Sequence, residues 1–581
     1  MKPLLRLPTA IRRRPWGSSR NAGSPASSSS PTKAARGPHL LGRARSGELG
    51  SDGSPIDALG KSESVTVDRR SFVLEHSGSR DLRDVYDMEN TRELGVGGFG
   101  TVHRVSLKGA TSVLRAVKSV KKASLKAESC VRREIAILRC LDHPCICRLL
   151  ETFEDHRHIY LVLELIDGRE LFDEIVERGS LDENRSALIM QQVLSGLQYC
   201  HDKNVVHRDL KPENIMVQRD HVLEEVCKPT KKPPGSETHI SEGGCSVHVP
   251  EVKIIDFGLA VVNGNSARRA SGSLGGSRDY MAPEVRRGQT CFQPASDIWS
   301  AGMVLHALLL GGLPPFKVLI GEEPVGQDGR WDGVSPAAQE LLRQMLQVQP
   351  GMRCTAKQAA EHHWTRGHAR LASSPEQVAN TMASFAAFHK RVKLQRAALT
   401  ALAMQLTNQQ LSDVREQFLC LDSDGNGTIS KEELLNNIEA IAPSSVGDVR
   451  EWAESVFDSI DTDGSKEIDY TEWVAAAMNE SLFRSEEAIR AAFRVFDADG
   501  DGRIDTAEFA RVLKQSPQEI AALMPQFDTN GDGVLDFNEF KNLFLRLPHL
   551  TELDSQRPHS HRGPEFLCEP RVQAATTKMS L

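Results

Sequence analysis

The pattern of apolar and polar positions divides the chain into several stretches between two polar tails. Short apolar runs typical of strands begin at Tyr86 and give way to helical spacing up to about Gly367. A polar insertion at 218–250 interrupts this part, and a segment with apolar residues at helical spacing follows at 374–406. Residues 408–547 then repeat a unit of helix, acidic loop and helix four times. The pattern predicts a multidomain chain with an α+β domain followed by an all-α domain.

Domain boundaries are expected where the pattern changes. Residues 1–81 are rich in Ser, Pro, Gly and Arg, which predicts a disordered basic arm. The other expected parts are a domain at 82–367, a junction helix at 374–406, helical lobes at 408–479 and 480–547, and a flexible tail at 548–581. Because 39% of the 581 residues are hydrophobic, the chain is long and apolar enough to form several cores. No apolar stretch reaches the roughly 18 residues of a membrane span, so no transmembrane segment is expected.

The amino-terminal arm is strongly basic. Met1 to Gly47 contain ten Lys and Arg and no Asp or Glu, a composition that suits an anionic-surface-binding tail or a transit peptide. Prolines at positions 3, 8 and 15 interrupt any amphipathic helix there. Lys2 stands where N-myristoylation requires glycine, which excludes that modification. The eleven cysteines have no repeated spacing and suit a reducing compartment, so we expect a cytoplasmic monomer that binds no nucleic acid.

A glycine-rich stretch opens the first domain. It fits G-x-G-x-x-G-x-V and consists of Leu94, Gly95, Val96, Gly97, Gly98, Phe99, Gly100 and Val102. Glycines let backbone N–H groups approach phosphate oxygens closely, although such clusters commonly form ordinary turns. Lys118 follows on a β-rich run, and Glu134 lies sixteen residues later on a helical pattern. A lysine held by a glutamate can grip the α- and β-phosphates of a nucleotide, so these two residues make the phosphate interpretation specific.

Three further motifs follow in order. They are His207-Arg208-Asp209-Leu210-Lys211-Pro212-Glu213-Asn214, Asp256-Phe257-Gly258 and Ala282-Pro283-Glu284. Together with the first two, they resemble the signature set of protein kinases in order and spacing. The resemblance implies a bilobal kinase fold, ATP and Mg²⁺ as cofactors, and transfer of the γ-phosphate to protein serine or threonine.

The resemblance also implies a role for each matched position. Asp209 would accept the proton of the substrate hydroxyl, Lys211 would lie near the γ-phosphate, and Asn214 and Asp256 would bind Mg²⁺. The remaining ATP-binding positions are Val102, Ala116 and Met216 around the adenine, the backbone of Glu164 and Leu165 at the hinge, and Glu170 at the ribose. For the apolar residues, ordinary core packing explains the pattern equally well. Asp297 would support the catalytic loop, and Glu284 and Arg353 would form a buried ion pair.

Four acidic loops fit the spacing of EF-hands. Their predicted calcium ligands are Asp422, Asp424, Asn426, Thr428 and Glu433; Asp461, Asp463, Ser465, Glu467 and Glu472; Asp497, Asp499, Asp501, Arg503 and Glu508; and Asp528, Asn530, Asp532, Val534 and Glu539. The seventh position of each loop contributes its backbone carbonyl. The second loop has Lys466 where the sharp turn favours glycine, so we expect it to bind calcium most weakly. Apolar residues at the eighth positions are expected to pair the loops within each lobe.

The order of kinase, basic junction and four EF-hands resembles the calcium-dependent protein kinases of plants and apicomplexan parasites, over about Tyr86 to Leu547. The resemblance implies that the junction inhibits the kinase and that the calcium-loaded EF-hands bind the junction. Lys390 and Lys393 are the candidates for occupying the cleft. Two alternatives are a kinase that needs separate calmodulin and a non-catalytic calcium-responsive scaffold. Built-in EF-hands argue against the first, and the intact catalytic set argues against the second.

Substrate preference is expected to follow from two acidic residues at the cleft. Glu170 and Glu213 match positions where basophilic kinases receive substrate arginines, which predicts protein substrates with basic residues before the target Ser or Thr. The chain itself contains Arg268-Arg269-Ala270-Ser271, so Ser271 is the expected phosphorylation site. Arg208 is expected to pair with that phosphate.

Overall fold

The computed structural model describes residues 69–77, 80–97, 100–218, 250–262, 278–288, 293–312, 331–368, 375–441, 446–479, 482 and 485–545. Gly98, Phe99 and Ser271 lie outside the described residues, as do most of the insertion and both tails. Within the described ranges, no helix is long and apolar enough to cross a membrane.

A six-stranded sheet forms the smaller lobe of the first domain. The elements in chain order are β1 (Leu74–Ser77), α1 (Leu82–Val85), β2 (Tyr86–Gly97), β3 (Gly100–Leu107), β4 (Ala110–Lys121), α2 (Leu125–Cys140), β5 (Leu149–Glu154) and β6 (His158–Glu164). Their spatial order is β1-β5-β6-β4-β3-β2, in which only the β1–β5 pair is parallel. Val105, Val117 and Val162 are buried where α1 and the sheet pack together.

The structure describes regular elements before the expected domain boundary at residue 82. A 3₁₀ turn at Arg69–Phe72 precedes β1, and both lie within the stretch expected to be a disordered arm. Phe72, Val73 and Leu74 are almost completely buried, so burial of apolar surface stabilises this segment. A run of three apolar residues is too short to produce a recognisable period in the sequence.

The larger lobe is built around two buried helices. Its elements in chain order are β7 (Gly168–Glu170), α3 (Leu171–Arg178), α4 (Glu183–Asp202), β8 (Val205–Val206), β9 (Ile215–Gln218), β10 (Val252–Ile254), β11 (Val261–Val262), α5 (Pro283–Arg286), α6 (Pro294–Leu310), α7 (Pro336–Met345), α8 (Ala356–Ala360) and α9 (His363–His368). Helix α6 is apolar on nearly all sides, which is the pattern of a core helix. Arg353 forms two bonds of 2.6 Å to the Glu284 carboxylate, as the sequence predicts. The bilobal α+β fold is confirmed.

The remaining elements are almost entirely helical. They are α10 (Pro375–His389), α11 (Lys393–Gln405), α12 (Ser412–Leu421), β12 (Ile429–Ser430), α13 (Lys431–Ile441), α14 (Val446–Ile460), β13 (Glu467–Ile468), α15 (Tyr470–Ala477), α16 (Glu486–Phe496), α17 (Thr506–Leu513), α18 (Pro517–Leu523) and α19 (Phe537–Leu545). Ile429 pairs with Ile468, and Ile504 pairs with Leu535. The expected pairing of the eighth loop positions is therefore present in both lobes.

The junction at 374–406, expected to be one helix, consists of the two helices α10 and α11, which the helical lobes surround. Helix α10 packs against α14 and α15, and α11 packs against α15, α16 and α19. The break between them is held by Arg396, which donates to the carbonyls of His389 and Arg391. Lys390 and Lys393 flank the break and are exposed. In this arrangement the two lysines belong to a segment held by the helical lobes, so the structure does not place them in the cleft of the kinase.

The helical lobes also pack directly on the kinase domain. Helix α16 lies against β4, and Ala491 joins the core of the small lobe. Between α2 and β5, the backbone N–H of Thr471 donates to Oδ2 of Asp142 at 2.9 Å. On the larger lobe, Nζ of Lys357 on α8 is 3.2 Å from Oδ2 of Asp424. Contacts on both kinase lobes thus connect the helical lobes to the sheet and to the helices below it.

Candidate active site and calcium sites

A lysine between two carboxylates lies at the centre of the cleft. Nζ of Lys118 on β4 is 2.6 Å from Oε1 of Glu134 on α2 and 2.8 Å from Oδ1 of Asp256. The Lys118 and Glu134 side chains are only 9% and 2% exposed. Burial opposes the charge of the lysine, but the two carboxylates raise the pKa of Lys118 above its ordinary value. A permanently charged ammonium group therefore lies where the sequence predicts the phosphates of ATP.

The catalytic loop brings together three of the predicted residues. Nζ of Lys211 is 2.8 Å from Oδ2 of Asp209. Nδ2 of Asn214 donates to the backbone carbonyl of Asp209 at 2.7 Å and to its Oδ2 at 3.2 Å. Two bonds thus orient the Asp209 carboxylate, and Oδ1 of Asn214 remains as the atom suited to a metal.

The backbone around this loop is strained, and hydrogen bonds to a buried carboxylate hold it in place. Arg208 and Asp256 have φ angles of 71° and 62°, in the left-handed region that costs non-glycine residues about 1–2 kcal/mol. The buried carboxylate of Asp297 accepts from the backbone N–H groups of His207 and Arg208 at 2.8 and 2.9 Å. Burial would raise the pKa of Asp297, but hydrogen bonding and charge from His201 and its neighbours lower it. An ionised Asp297 therefore stabilises the strained loop.

The predicted nucleotide positions lie on neighbouring strands. Val102 pairs with Lys118 across β3 and β4, and Ala116 pairs with Leu163 across β4 and β6. Glu170 pairs with Met216 across β7 and β9. The described glycine-rich positions form the end of the β2–β3 hairpin, where Gly95 pairs with Val102 and Gly97 pairs with Gly100, with Leu94 and Val96 exposed. The strands thus surround a cleft between the lobes.

The side chain of the hinge residue Glu164 turns away from nucleotide binding. Its carboxylate accepts from the backbone N–H of Arg148 at 2.9 Å, from Nε of Arg148 at 3.2 Å and from Nζ of Lys253 at 3.0 Å. Burial opposes ionisation, but Lys253 and Arg148 lower the pKa of Glu164 to about 2. The backbone N–H of Glu164 also donates to the carbonyl of Arg148 at 3.1 Å, so adenine binding by the backbone of Glu164 and Leu165 stays a prediction.

Sequence reasoning missed the two arginines that connect the hinge to the junction. Arg148 donates to the carbonyls of Ala403 and Leu406 at 3.2 and 3.0 Å. Arg115 donates to the carbonyl and the side chain of Gln405 at 3.2 and 2.8 Å. Both arginines satisfy carbonyl groups at the end of α11, where a helix has no partners of its own. Because more than 250 residues separate the partners, no local pattern could reveal them.

All four acidic loops have the backbone shape of calcium-binding loops. The sixth residues, Gly427, Lys466, Gly502 and Gly533, have φ angles of 84°, 68°, 84° and 84°. Each donates its N–H to the first aspartate of the same loop, at distances of 2.8 to 3.3 Å. Lys466 therefore adopts the left-handed conformation that glycine favours, at a cost of about 1–2 kcal/mol. This strain supports the expected weakness of the second loop.

Each loop also places several carboxylate oxygens close together. In every loop three carboxylates, including the one at the twelfth position, lie within 4.8 Å of one another, which suits the oxygen coordination of calcium. Burial raises the pKa of Asp422 in the first loop to about 8, against the hydrogen bond from Gly427. A divalent cation would relieve this crowding of carboxylates. The first loop touches the kinase, because Nζ of Lys357 is 3.2 Å from Oδ2 of Asp424.

Comparisons with known proteins agree with this architecture. A model of the protein kinase domain matches residues 88–365, a model of the EF-hand domain pair matches 450–514 and 486–545, and a model of the EF hand matches 414–436. The chain is 35% identical to calcium-dependent protein kinase 3 of Plasmodium berghei over 465 residues, which cover 78% of this chain and 76% of that protein. It is 34% identical to calcium-dependent protein kinase 5 of Plasmodium falciparum over 75% and 72% of the two chains, and 32% identical to calcium-dependent protein kinase 9 of Oryza sativa over 79% and 75%.

Proposed function

The chain belongs to the calcium-dependent protein kinase family and is a calcium-activated serine/threonine kinase. We propose that each predicted residue at its cleft has a separate role in phosphoryl transfer. Asp209 accepts the proton of the substrate hydroxyl, and Lys211 neutralises charge near the γ-phosphate. Lys118, fixed by Glu134, holds the α- and β-phosphates. The observation that carries this proposal is the contact of Lys118 with both Glu134 and Asp256, since it aligns α2 with the cleft.

The proposed metal of the reaction is magnesium. Asn214 and Asp256 offer the oxygen atoms that Mg²⁺ prefers. Asn214 bonds to Asp209, and Ile255, next to Asp256, donates its backbone N–H to the carbonyl of Asn214 at 2.9 Å. Bound magnesium would neutralise the β- and γ-phosphates. Asp256 also pairs with Lys118, so the same side chain connects the metal position to the phosphate-holding lysine.

A transfer assay with labelled ATP tests the function against its alternatives. We expect the purified chain to phosphorylate a peptide with calcium and not with a chelator, and added calmodulin to change nothing. A requirement for calmodulin would favour the first alternative. Calcium binding without transfer would favour a scaffold.

We propose further that the junction inhibits the kinase when calcium is absent. The support is that α10 and α11 are buried among the helical lobes, so the lobes compete for the same segment that would otherwise enter the cleft. Sensor EF-hands open an apolar groove on binding calcium, and their preference for the junction then shifts the equilibrium. Lys390 and Lys393 remain the proposed residues that enter the cleft.

The calcium loops are expected to contribute unequally. Replacing the twelfth residue with glutamine, in Glu433→Gln, Glu508→Gln or Glu539→Gln, should raise the calcium concentration needed for half-maximal activity, because a bidentate carboxylate ligand is lost. Glu472→Gln is the matched control and should have the smallest effect, given the strained Lys466 in that loop. Calorimetric titration provides an independent check, and tightest binding at the second loop would contradict this ranking.

Peptide substrates with arginine three residues before the target Ser or Thr are expected to be preferred. Burial raises the pKa of Glu213, and pairing with an incoming arginine would stabilise its ionised form. A peptide array compared between the wild type, Glu170→Gln and Glu213→Gln measures the preference, which should weaken about tenfold or more in the variants. Equal use of peptides without basic residues would contradict it.

The same preference makes Ser271 the proposed acceptor within the chain. Burial and the neighbouring Arg133 on α2 lower the pKa of Arg208 to about 10. Two guanidinium groups close together would attract a phosphate. Mass spectrometry of the calcium-activated protein should find Ser271 phosphorylated, whereas an unmodified Ser271 in fully active protein would contradict the assignment.

The remaining proposals concern the state and place of the protein. A cytoplasmic monomer follows from the scattered cysteines and from the internal arrangement of sensor and kinase in one chain. The basic residues of 1–47 suit an anionic membrane surface.

A further inference from the structure

The segment before the kinase domain connects the third EF-hand to the small lobe. We name residues 69–77 and 80–85 the N-terminal clamp; it precedes residues 88–365, the part that matches the kinase-domain model. Phe72 in the clamp is only 1% exposed. Its ring centroid lies 6.4 Å from that of Phe496, with the two rings almost perpendicular. Aromatic pairs of this geometry are stabilised beyond the burial of their area.

Phe72 contacts a part of the third EF-hand that moves when the hand changes conformation. Phe496 ends α16 and directly precedes Asp497, the first predicted ligand of that hand. It packs on Phe509 of α17 with ring centroids 4.6 Å apart, and the turn at Arg69–Phe72 also contacts α17. Calcium changes the angle between the two helices of a sensor hand from about 130–140° to about 90–100°. The surface that receives Phe72 therefore depends on calcium.

The other side of the clamp holds α2. Arg139, in the last turn of α2, donates to the backbone carbonyl of Arg70 at 3.0 Å and forms an ion pair with Glu75 on β1. The same helix carries Glu134, which orients Lys118. The clamp is therefore in contact with the third EF-hand on one side and with the helix that positions the phosphate-binding lysine on the other.

A buried polar group fixes the clamp against the sheet and α16. His76 on β1 stacks on Phe153 at 4.4 Å between ring centroids, and its Nε2 is 3.5 Å from Glu151. Glu151 also pairs with Arg494 of α16 at 3.6 Å and accepts from the hydroxyl of Tyr86 at 2.9 Å. Burial opposes ionisation, yet these partners lower the pKa of Glu151 to about 2. The carboxylate thus ties β1, β5 and α16 together.

Arg80 extends the contact to the calcium loop itself. Its guanidinium group lies beside Gly500, and its charge partly opposes the burial that raises the pKa of Asp497. The third loop contains five carboxylates against the single cation of Arg503, so one calcium ion leaves the loop with net negative charge. Arg80 is attracted to the loop whether or not calcium is bound. Calcium lowers the negative charge of the loop and so weakens this attraction. A contact that calcium favours must therefore come from elsewhere, and Phe72 is the clamp residue that packs on α16 of this hand.

We propose that Phe72 and Arg139 are positioning residues through which the calcium-loaded third EF-hand holds α2, and with it Glu134, in the arrangement that orients Lys118. The inference rests on the calcium-activated kinase function and adds to it a second contact besides the junction. By linkage, a contact that calcium favours must in turn favour calcium binding by the same factor.

The test uses the full chain with four variants, Phe72→Ala, Phe72→Leu, Arg139→Gln and Arg132→Gln. For Phe72→Ala we expect kcat at saturating calcium to fall at least fivefold, with the KM for peptide within twofold of the wild type. The half-activating calcium concentration should rise at least threefold. Phe72→Leu should recover most of both effects, and Arg139→Gln should lower kcat. Arg132→Gln is the matched control, because Arg132 lies on the same helix but pairs with Glu128 and Glu154.

The outcomes separate the clamp from a merely structural role and from the function it rests on. Wild-type kcat and calcium response in both Phe72→Ala and Arg139→Gln would overturn the proposal. A lower kcat of Phe72→Ala with unchanged calcium response would also overturn it, because the coupling would be missing. If circular dichroism shows that Phe72→Ala does not fold, Phe72→Leu and Arg139→Gln decide. If the wild type itself transfers no phosphate, the kinase function fails, and calcium titration of the Phe72 variants still tests the clamp.

Discussion

Asp209→Asn is expected to remove kinase activity, with a loss of about 10²–10⁴-fold, and to leave the protein folded. Asparagine keeps the shape of the side chain and can still bond to Asn214, but it has no basic carboxylate to accept the proton of the substrate hydroxyl. The loss should appear in kcat with little change in the KM for ATP. Rates of transfer from labelled ATP, compared with thermal unfolding curves, measure both parts of the expectation. Asp332→Asn, at an exposed aspartate of the same lobe, is the matched control.

Lys118→Met is expected to be equally inactive but less stable. Lys118 neutralises Glu134, which is almost completely buried, and a buried carboxylate without its cation must take up a proton or destabilise the fold. The variant should therefore unfold at a lower temperature than Asp209→Asn. Lys121→Met is the control, since Lys121 is an exposed residue at the end of the same strand. Near-normal turnover in Asp209→Asn or Lys118→Met would contradict the assignment of the active site.

The features that sequence reasoning could predict are those determined by short spacing. The kinase motifs name residues that the fold brings together, such as Lys118 with Glu134 and Asp209 with Asn214. The loop spacing also predicted the positive φ of Lys466, because a calcium-binding loop needs that turn whatever residue occupies it. In each case the chemistry of a short segment dictates its backbone.

The features that could not be predicted depend on contacts between distant segments. Arg148 looks like any other arginine in the sequence, and only the folded chain shows that it contacts the end of α11. The sequence of β1 does not predict a strand either, because its four residues are stabilised by pairing with β5 and by covering apolar surface. The break between α10 and α11 is stabilised by Arg396, which donates to the backbone carbonyls of His389 and Arg391. The helical spacing of basic residues in this segment does not predict a break.

These distant contacts alter the activity expected of a chain from which the junction and the EF-hand lobes are removed. A chain truncated after Gly367 lacks the junction, so it should be active without calcium. It also lacks α11 and α16. Arg148 and Arg115 then lose their carbonyl partners, and β4 loses the helix that covers it. Each buried polar group left without a partner costs about 1–3 kcal/mol.

The truncated chain is therefore expected to be intermediate. Its activity without calcium should exceed that of the full chain without calcium and fall below that of the full chain with calcium, whose stimulation should be roughly 5- to 150-fold. Initial rates with saturating ATP and peptide, in calcium and in chelator, measure this order. The control is the full chain with Glu433, Glu508 and Glu539 all changed to glutamine, which retains the junction and the helical lobes but should stay inactive because it binds calcium too weakly. A folded truncated chain without activity would show that the helical lobes activate the kinase by supporting the small lobe, and that release of the junction is not sufficient.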